Sequence, residues 1–449
     1  MLDSGIKLQK EIFIKTYGCQ MNVYDSLRME ELFTPFGYNI SENYDNADLV
    51  ILNTCHIREK AAEKVYSELG KINITKKKLR ENGKHMVVAV AGCVAQAEGD
   101  QIVKRAPYVD IVVGPQSYHN LPSIVKKIQN NEDVDKVCLE FIEEEKFDHL
   151  STDRSNNNVS AFLSVQEGCD KFCTYCVVPY TRGAEFSRPV QKIMDEAKKL
   201  VDGGAKEINL LGQNVNGYHG VDDKGNPVSL GRLIMMLEGV SGLERIRYTT
   251  SHPSDMHDEL YEAHAVCSKL MPYLHLPVQS GSNNVLKLMN RKHDRDEYIK
   301  AIEKLRVARP DLAFSSDFIV GFPGETDQDF EDTMSLVREI KYSGCFSFKF
   351  SPRPGTPAEL YEDQIAEEVK SARLAKLQEL LNEQQYEFNK TFFGKELDIL
   401  FERVQGDKIM GRSPYLQPVF VNKEEGLLNQ IRKVKITKAG PHSLNAELV

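Results

Sequence analysis

Cys169, Cys173 and Cys176 fall within eight residues at the spacing C-x3-C-x2-C, directly after an apolar run at 160–165 that reads as a strand. A loop this short cannot hold three thiols apart, so the sulfurs must converge. Three soft thiolates suit an iron–sulfur cluster or zinc. A structural zinc is closed by a fourth protein ligand, and none follows nearby. A [4Fe–4S] cluster held by three cysteines leaves one iron open to an outside ligand. The plainer reading is a zinc knuckle or a redox-inert cluster.

A second set is spread out. Cys19, Cys55 and Cys93 are separated by 36 and 38 residues, and each follows a strand-like run, at 11–17, 48–54 and 86–91. Helix-like segments at 25–36 and 58–80 lie between them, and a fourth apolar run follows at 109–113. Near-continuous apolar strands alternating with helices imply a parallel sheet, with ligands at the carboxyl ends of its strands. The three cysteines should meet there and hold a second cluster with its own open iron. The plainer reading makes one or two of them core thiols. Cys138, Cys267 and Cys345 read as packing or surface residues.

The elements that carry these residues belong to a chain of 449 residues with 41% hydrophobic and 27% charged side chains. That composition is globular, and the length suggests two to four domains. No apolar run approaches a membrane span, and the first residues lack a signal-peptide core, so the expected location is cytoplasmic. Nine cysteines in a reducing compartment point to metal ligands and buried thiols rather than disulfides. A net charge of −9 argues against coating nucleic acid without specificity, but leaves room for a local basic face. Residues 131–158 are acidic with a polar end and read as a linker, with a short strand possible near 137–141.

After the cysteine loop the alternation continues. Strands are expected at 160–165, 207–211, 245–249, 272–276, 313–320 and 346–350, with helices at 190–201, 229–238, 255–270, 294–306, 327–340 and 358–388. Six βα units are too few for a closed eight-stranded barrel and suit an open partial (β/α)6 barrel, active at its strand carboxyl ends. From 389 onward, short strand-like runs punctuated by glycine read as a small antiparallel β-barrel. That stretch has ten cationic and seven acidic side chains, a surplus of three in an acidic chain. Small basic barrels with exposed aromatics, here Tyr415 and Phe420, commonly bind RNA. The expected class is therefore α/β, with a parallel α/β domain, a partial barrel and a small β-barrel in that order.

The cysteine loop, with Tyr175 before its last thiol, resembles the radical S-adenosylmethionine (SAM) superfamily, whose loop is C-x3-C-x-aromatic-C. That resemblance implies SAM contacts at Gly212 and Gln213, where the family often has Gly-Gly-Glu and this chain has Leu211-Gly212-Gln213. It implies others at His275, Gln279 and Ser280, and at Ile319 and Gly321. The last stretch resembles an RNA-binding TRAM domain. Together the pieces resemble the methylthiotransferases over nearly the whole chain. Gly18-Cys19-Gln20-Met21-Asn22 with Asp25-Ser26, and Cys176-Val177-Val178-Pro179-Tyr180-Thr181-Arg182-Gly183, are similar to the MiaB family.

The resemblance implies a methylthiotransferase domain at 11–130, a linker at 131–158, a radical SAM domain at 159–388 and a TRAM barrel at 389–449. It implies two [4Fe–4S] clusters, on Cys19, Cys55 and Cys93 and on Cys169, Cys173 and Cys176, together with SAM. The implied reaction is 2-methylthio insertion into N6-isopentenyladenosine at position 37 of tRNA. The alternatives are a ribosomal-protein aspartate or threonylcarbamoyladenosine in tRNA. The implied partners are the tRNA anticodon stem-loop and an electron donor such as flavodoxin, acting on a monomer without a membrane. Arg182, Arg188, Tyr415, Arg432 and Lys433 are the expected RNA contacts.

Overall fold

The structure is a computed structural model that describes residues 9–55, 61–141 and 158–449. The chain divides into two compact units, Met1–Ser155 with Val177–Phe186, and Asn156–Cys176 with Ser187–Val449.

The first unit is built on a six-stranded parallel sheet. Its strands are β1 (Lys10–Thr16), β2 (Tyr38–Ile40), β3 (Leu49–Thr54), β4 (Val87–Gly92), β5 (Ile111–Val113) and β6 (Val137–Cys138), in the order 2-1-3-4-5-6. β3 and β4 are buried along their whole length, as a sheet covered on both faces requires. Alternate residues enter two separate cores. Ile51 and Ala89 meet Met29 and Phe33 of helix α1 (Gln20–Phe33) on one face. Val50, Leu52, Val88 and Val90 meet Val65, Leu69 and Ile72 of α2 (Ala61–Glu81) on the other.

Three features differ from the sequence reading. Helix α1 starts five residues before the expected 25, with Cys19 as its N-cap. The edge strand β2 was not expected. β6, the short strand expected near 137–141, pairs with β5 and so belongs to the sheet rather than to a solvated linker. Most of that linker, and the start of the helix expected at 58–80, lie outside the described residues.

The second unit holds the six expected barrel strands: β7 (Ser160–Ser164), β8 (Glu207–Leu211), β9 (Arg245–Thr249), β10 (Tyr273–His275), β11 (Ala313–Val320) and β12 (Gly344–Lys349). All their ladders are parallel, but they form two three-stranded sheets, 9-8-7 and 10-11-12. One parallel bridge, Ile246 to Leu270, links the two. Pro272 stands at the entrance to β10 and has no N–H to continue that ladder. A single core of leucine, isoleucine, valine and tyrosine lies between the strands and the surrounding helices.

Beyond the long helix Glu367–Lys390, the strands β13 (Glu396–Gln405), β14 (Lys408–Arg412), β15 (Pro418–Asn422), β16 (Ile431–Ala439) and β17 (Leu444–Leu448) close into a barrel in the order 13-14-15-17-16. One correction applies: β15 and β17 pair parallel, so the barrel is not wholly antiparallel. Apolar alternation tells which face of a strand is buried, not which way its neighbour runs.

Two arginines of β9 fix this barrel to the partial barrel. Arg245 donates to the carbonyls of Arg412 (3.0 Å) and Asp398 (2.6 Å). Arg247 donates to those of Ser413 and Pro414, each at 2.9 Å, and through Nε to Glu207 at 2.8 Å. All three charged side chains are buried. Burial opposes ionisation of Glu207, but Arg247 and Arg245 hold its carboxyl below the usual range. Among the described residues no helix is long and apolar enough to cross a membrane.

Two candidate three-thiol sites

In the first unit the sheet order makes β1, β3 and β4 neighbours, with Thr16 beside Asn53 and Thr54 beside Gly92. The three carboxyl ends therefore open on one edge. Cys19 caps α1, Cys55 follows β3, and Cys93 opens the short helix Cys93–Glu98. Gly18 has φ +115°, and a Cβ there would lie 2.7 Å from the Cys55 sulfur. Only glycine lets these two strand ends approach so closely.

Buried amides fix the spacing. Asn22 donates to the Thr54 carbonyl at 3.0 Å, and Asn53 donates to the Asn22 carbonyl at 2.8 Å and to Ser26 Oγ at 2.9 Å. Arg182 lies beside these thiols, and its Nη2 donates to Asp25 at 2.7 Å. A hydrogen bond with Cys55 lowers the Cys19 thiol to about 6, helped by the Arg182 charge and opposed by burial. Burial pushes Cys93 up, and Arg182 offsets part of that rise.

In the second unit the cysteine loop follows β7. The Gln166 side chain donates to the Gly168 carbonyl at 2.7 Å and accepts from the backbone N–H of Gln213 (2.9 Å) and Asn214 (3.0 Å). The Gln213 side chain in turn accepts from the Gly168 N–H at 2.6 Å. A Cβ at Gly212 would collide with the Gln166 side-chain oxygen. Thr174 donates through its N–H to the Met289 carbonyl (3.1 Å), and Asn290 donates to the Phe172 carbonyl (2.8 Å). Arg291 Nη1 donates to the Cys173 sulfur at 3.5 Å, while its Nη2 donates to the Pro277 carbonyl at 2.6 Å. Lys171 pairs with Asp255 at 2.6 Å, and Asn214 donates to the other oxygen of Asp255 at 2.7 Å.

All six thiols are free of disulfides. Among the described residues no three His, Cys, Asp or Glu side chains are placed around one metal-ion position. The donor sets, three thiols each with a guanidinium beside them, fit an anionic iron–sulfur cluster in chemical type. The ends of β8 and β9 and the segment after Asn290 also carry buried polar atoms without a protein partner. These are Gln213 Nε2, Asn214 Oδ1, Ser251 Oγ, His252 Nε2, Arg291 Nε and His293 Nε2. Unpaired buried polar groups are costly, and here they are of the kinds a polar cofactor would satisfy. Burial and then the Arg291 charge lower His252, and the same two causes bring His293 to about 4, so both rings are neutral at pH 7.

Residues 11–114 match the model described as Uncharacterized protein family UPF0004, and residues 163–337 match the Radical SAM superfamily. A tRNA-2-methylthio-N(6)-dimethylallyladenosine synthase from Rickettsia canadensis is 57% identical over 447 residues, covering 98% of this chain and 100% of that one. The protein of the same name from Agrobacterium fabrum is 56% identical over 98% of this chain and 97% of its own. The chain belongs to the family of tRNA-2-methylthio-N(6)-dimethylallyladenosine synthases.

Among solved structures, a radical S-adenosylmethionine methyltransferase from Kitasatospora setae superposes with a TM-score of 0.58 at 11% identity. That match covers 78% of this chain and 75% of the other. A cobalamin-dependent S-adenosylmethionine radical enzyme gives 0.55 at 12%, over 84% and 56%. At these identities the likeness concerns the fold alone.

As a synthase-family chain, the protein places its other expected site residues unevenly. Gln213 and Gly212 brace the cysteine loop. Tyr175 packs edge-on against Phe322, in an apolar cluster that includes Ile319. His275 bonds Ser315 at 3.0 Å and faces Asp317 at 3.5 Å. Gln279 bridges to Phe318 at positive φ, its N–H donating to the Asp317 carbonyl. Ser280 is fully buried and bonds Thr333. The N–H of Gly321 donates to Glu325, and a Cβ there would meet Lys370.

The expected RNA contacts divide too. Arg182 is buried against Asp25, and Arg188 is buried against Glu196 (2.8 Å) and the Ser164 carbonyl (2.5 Å). A guanidinium already paired in the interior is not displayed to a phosphate. Tyr415 is half-buried, packs on Phe388 and Phe392 and donates to Asp311. Arg432 and Lys433 are exposed on β16. Sequence reasoning did not single out Gln166, Asp255 or Arg291 as site residues. Arg291 opens the charged run 291–297, where nothing in the sequence sets it apart, and only the fold shows that it reaches Cys173.

Proposed function

We propose that this protein inserts a methylthio group at C2 of N6-isopentenyladenosine at position 37 of tRNA. The observation that carries this reading is the pair of separate three-thiol sets, one in each unit, in a chain 57% identical to a synthase of that name. In this reading Cys169, Cys173 and Cys176 hold one [4Fe–4S] cluster and Cys19, Cys55 and Cys93 hold another. When bound, these groups would supply the reductive cleavage of SAM to a carbon radical and an open iron for the sulfur. Radical chemistry is what the substrate demands, because the adenine C2–H is neither acidic nor activated.

The chain's own residues bind and orient. Gln166 and Gln213 hold the cysteine loop at the end of β7. Arg291 sets a positive charge against Cys173, as Arg182 does at Cys19 and Cys93. Neutral His252 and His293, with Asn214 and Ser251, offer polar atoms to SAM without adding charge. The exposed cations of β16, including Arg432 and Lys433, face solvent where an anticodon stem could lie along them. A base in the anticodon loop can be splayed out at modest cost. The protein acts as a monomer, with electrons from a donor such as flavodoxin.

The test incubates the anaerobically reconstituted full-length protein with SAM, a reductant and tRNA bearing N6-isopentenyladenosine, then digests the RNA for nucleoside mass spectrometry. The expected result is the 2-methylthio nucleoside. Formation of 5′-deoxyadenosine with unchanged tRNA would leave a radical SAM enzyme acting on another substrate.

A further inference from the structure

The last sheet of the partial barrel presents an unusual face. On β12, Cys345 packs toward the main core, while Phe346 and Phe348 point the other way and are 62% and 49% exposed. Register extends this face across the sheet. Asp317 of β11 pairs with Phe346, Ile319 with Phe348, and His275 of β10 with Ser315. Residues in one row of a parallel sheet share a face. Phe346, Phe348, Asp317, Ile319 and His275 therefore form one array.

The array is continuous with the cysteine loop. Ile319 packs in the cluster that contains Phe322 and Tyr175, and Tyr175 directly precedes Cys176. The His275 ring stands edge-on to Phe346 at 6.3 Å and sets its Nε2 3.5 Å from Asp317. Two exposed rings beside a carboxylate form an apolar patch with a polar rim, the kind of surface that marks a binding site.

We propose that this face recognises the substrate base: Phe346 and Phe348 receive its isopentenyl group and ring, and Asp317, oriented by His275, accepts a hydrogen bond from its N6–H. The proposal rests on the function argued above and names the contacts that would make it selective. The chemistry matches on both sides. A branched five-carbon chain needs exposed apolar surface, a purine stacks on aromatic rings, and a secondary amine needs an acceptor. A site that rewards an added hydrocarbon group discriminates by roughly 10–200-fold per methylene.

The test compares two anticodon stem-loops that differ only in the isopentenyl group. Their dissociation constants are measured by fluorescence anisotropy on full-length reconstituted protein. The wild type is expected to prefer the isopentenylated RNA. Phe346→Ala and Phe348→Ala should each lose about tenfold of that preference, weakening the isopentenylated RNA more than the unmodified RNA and leaving SAM binding unchanged. Both side chains are exposed, so the melting temperature should hold. Phe346→Leu, which keeps apolar volume, should keep most of the preference.

Wild-type preference retained in both alanine variants would overturn the proposal, as would equal loss for both RNAs or a loss of SAM binding. If the wild type methylthiolates the RNA while the variants discriminate normally, only this site fails. If the wild type neither prefers nor modifies the RNA, the function and the site fail together.

Discussion

The Arg182 guanidinium meets the Asp25 carboxylate at 2.7 Å, and both side chains are buried. Arg182 comes six residues after Cys176 in sequence, yet lies within the first unit, beside Cys19 and Cys93. Its peptide oxygen is also held, accepting from Gln116 at 2.8 Å. The segment behind one cysteine set thus supplies the charge that faces the other.

Removing one partner of a buried ion pair costs about 3–5 kcal/mol. Arg182→Met should lower the melting temperature and reduce iron retained by the first set. The double variant Arg182→Met/Asp25→Asn should recover much of the stability, since both charges of the pair are removed together. It should not recover the iron, because the positive charge beside the thiols is gone. Thermal unfolding and iron content of the two variants check this. Equal iron in both variants and the wild type would show that Arg182 is only a structural ion.

The Arg247 fork to the Ser413 and Pro414 carbonyls makes a different prediction. Arg247→Met removes the buried guanidinium that joins Glu207 to the Ser413 and Pro414 carbonyls. The barrel should loosen, and protease cleavage should rise between Lys390 and Glu396, where the long helix gives way to β13. If that barrel carries the RNA, the tRNA KM should rise by about tenfold, the effect of about 1.4 kcal/mol of lost binding. SAM cleavage without RNA should stay near the wild-type rate. A kcat loss with unchanged KM would contradict this division.

Buried His264 contributes its own share of acid sensitivity, beside His252 and His293. Burial brings His264 down to about 3, and its Nε2 lies 2.7 Å from the Tyr248 hydroxyl. Its folded value is below the unfolded value near 6.5. Between these values the unfolded chain takes up a proton that the folded chain refuses. Stability from this group is therefore complete above about pH 6.5 and falls as the pH drops toward 3, by about 1.4 kcal/mol per unit. His264→Phe should flatten that slope. Denaturant unfolding of both proteins at pH 7.5 and 5.5 checks it, and parallel slopes would contradict it.

Much of this is legible in the amino-acid sequence. The strands Glu207–Leu211, Arg245–Thr249 and Ala313–Val320 and the helix Asp327–Ile340 stand where the apolar runs and their flanking Gly and Pro place them. The Gly-Cys steps after β1 and β4 marked strand ends, which is why a scattered set of thiols could be brought to one edge. The start of α1 was hidden because Cys19 caps it without the usual Ser, Thr, Asp or Asn signal. Arg182 and Arg188 were read as RNA contacts because sequence shows a charge but not its burial. The partner of Arg182 lies 157 residues away. The pairing of β15 with β17, and the reach of Arg291 to Cys173, depend on distant chain segments in the same way.

The reading proposed here stands on the two three-thiol sets being separate cluster sites. Iron and acid-labile sulfide should be counted after anaerobic reconstitution, in the wild type and in Cys19→Ala/Cys55→Ala/Cys93→Ala. About eight irons should fall to about four, with matching sulfide and continued reductive cleavage of SAM. About four irons in both proteins would contradict it, leaving one cluster and no role for the thiols at the edge of the first sheet.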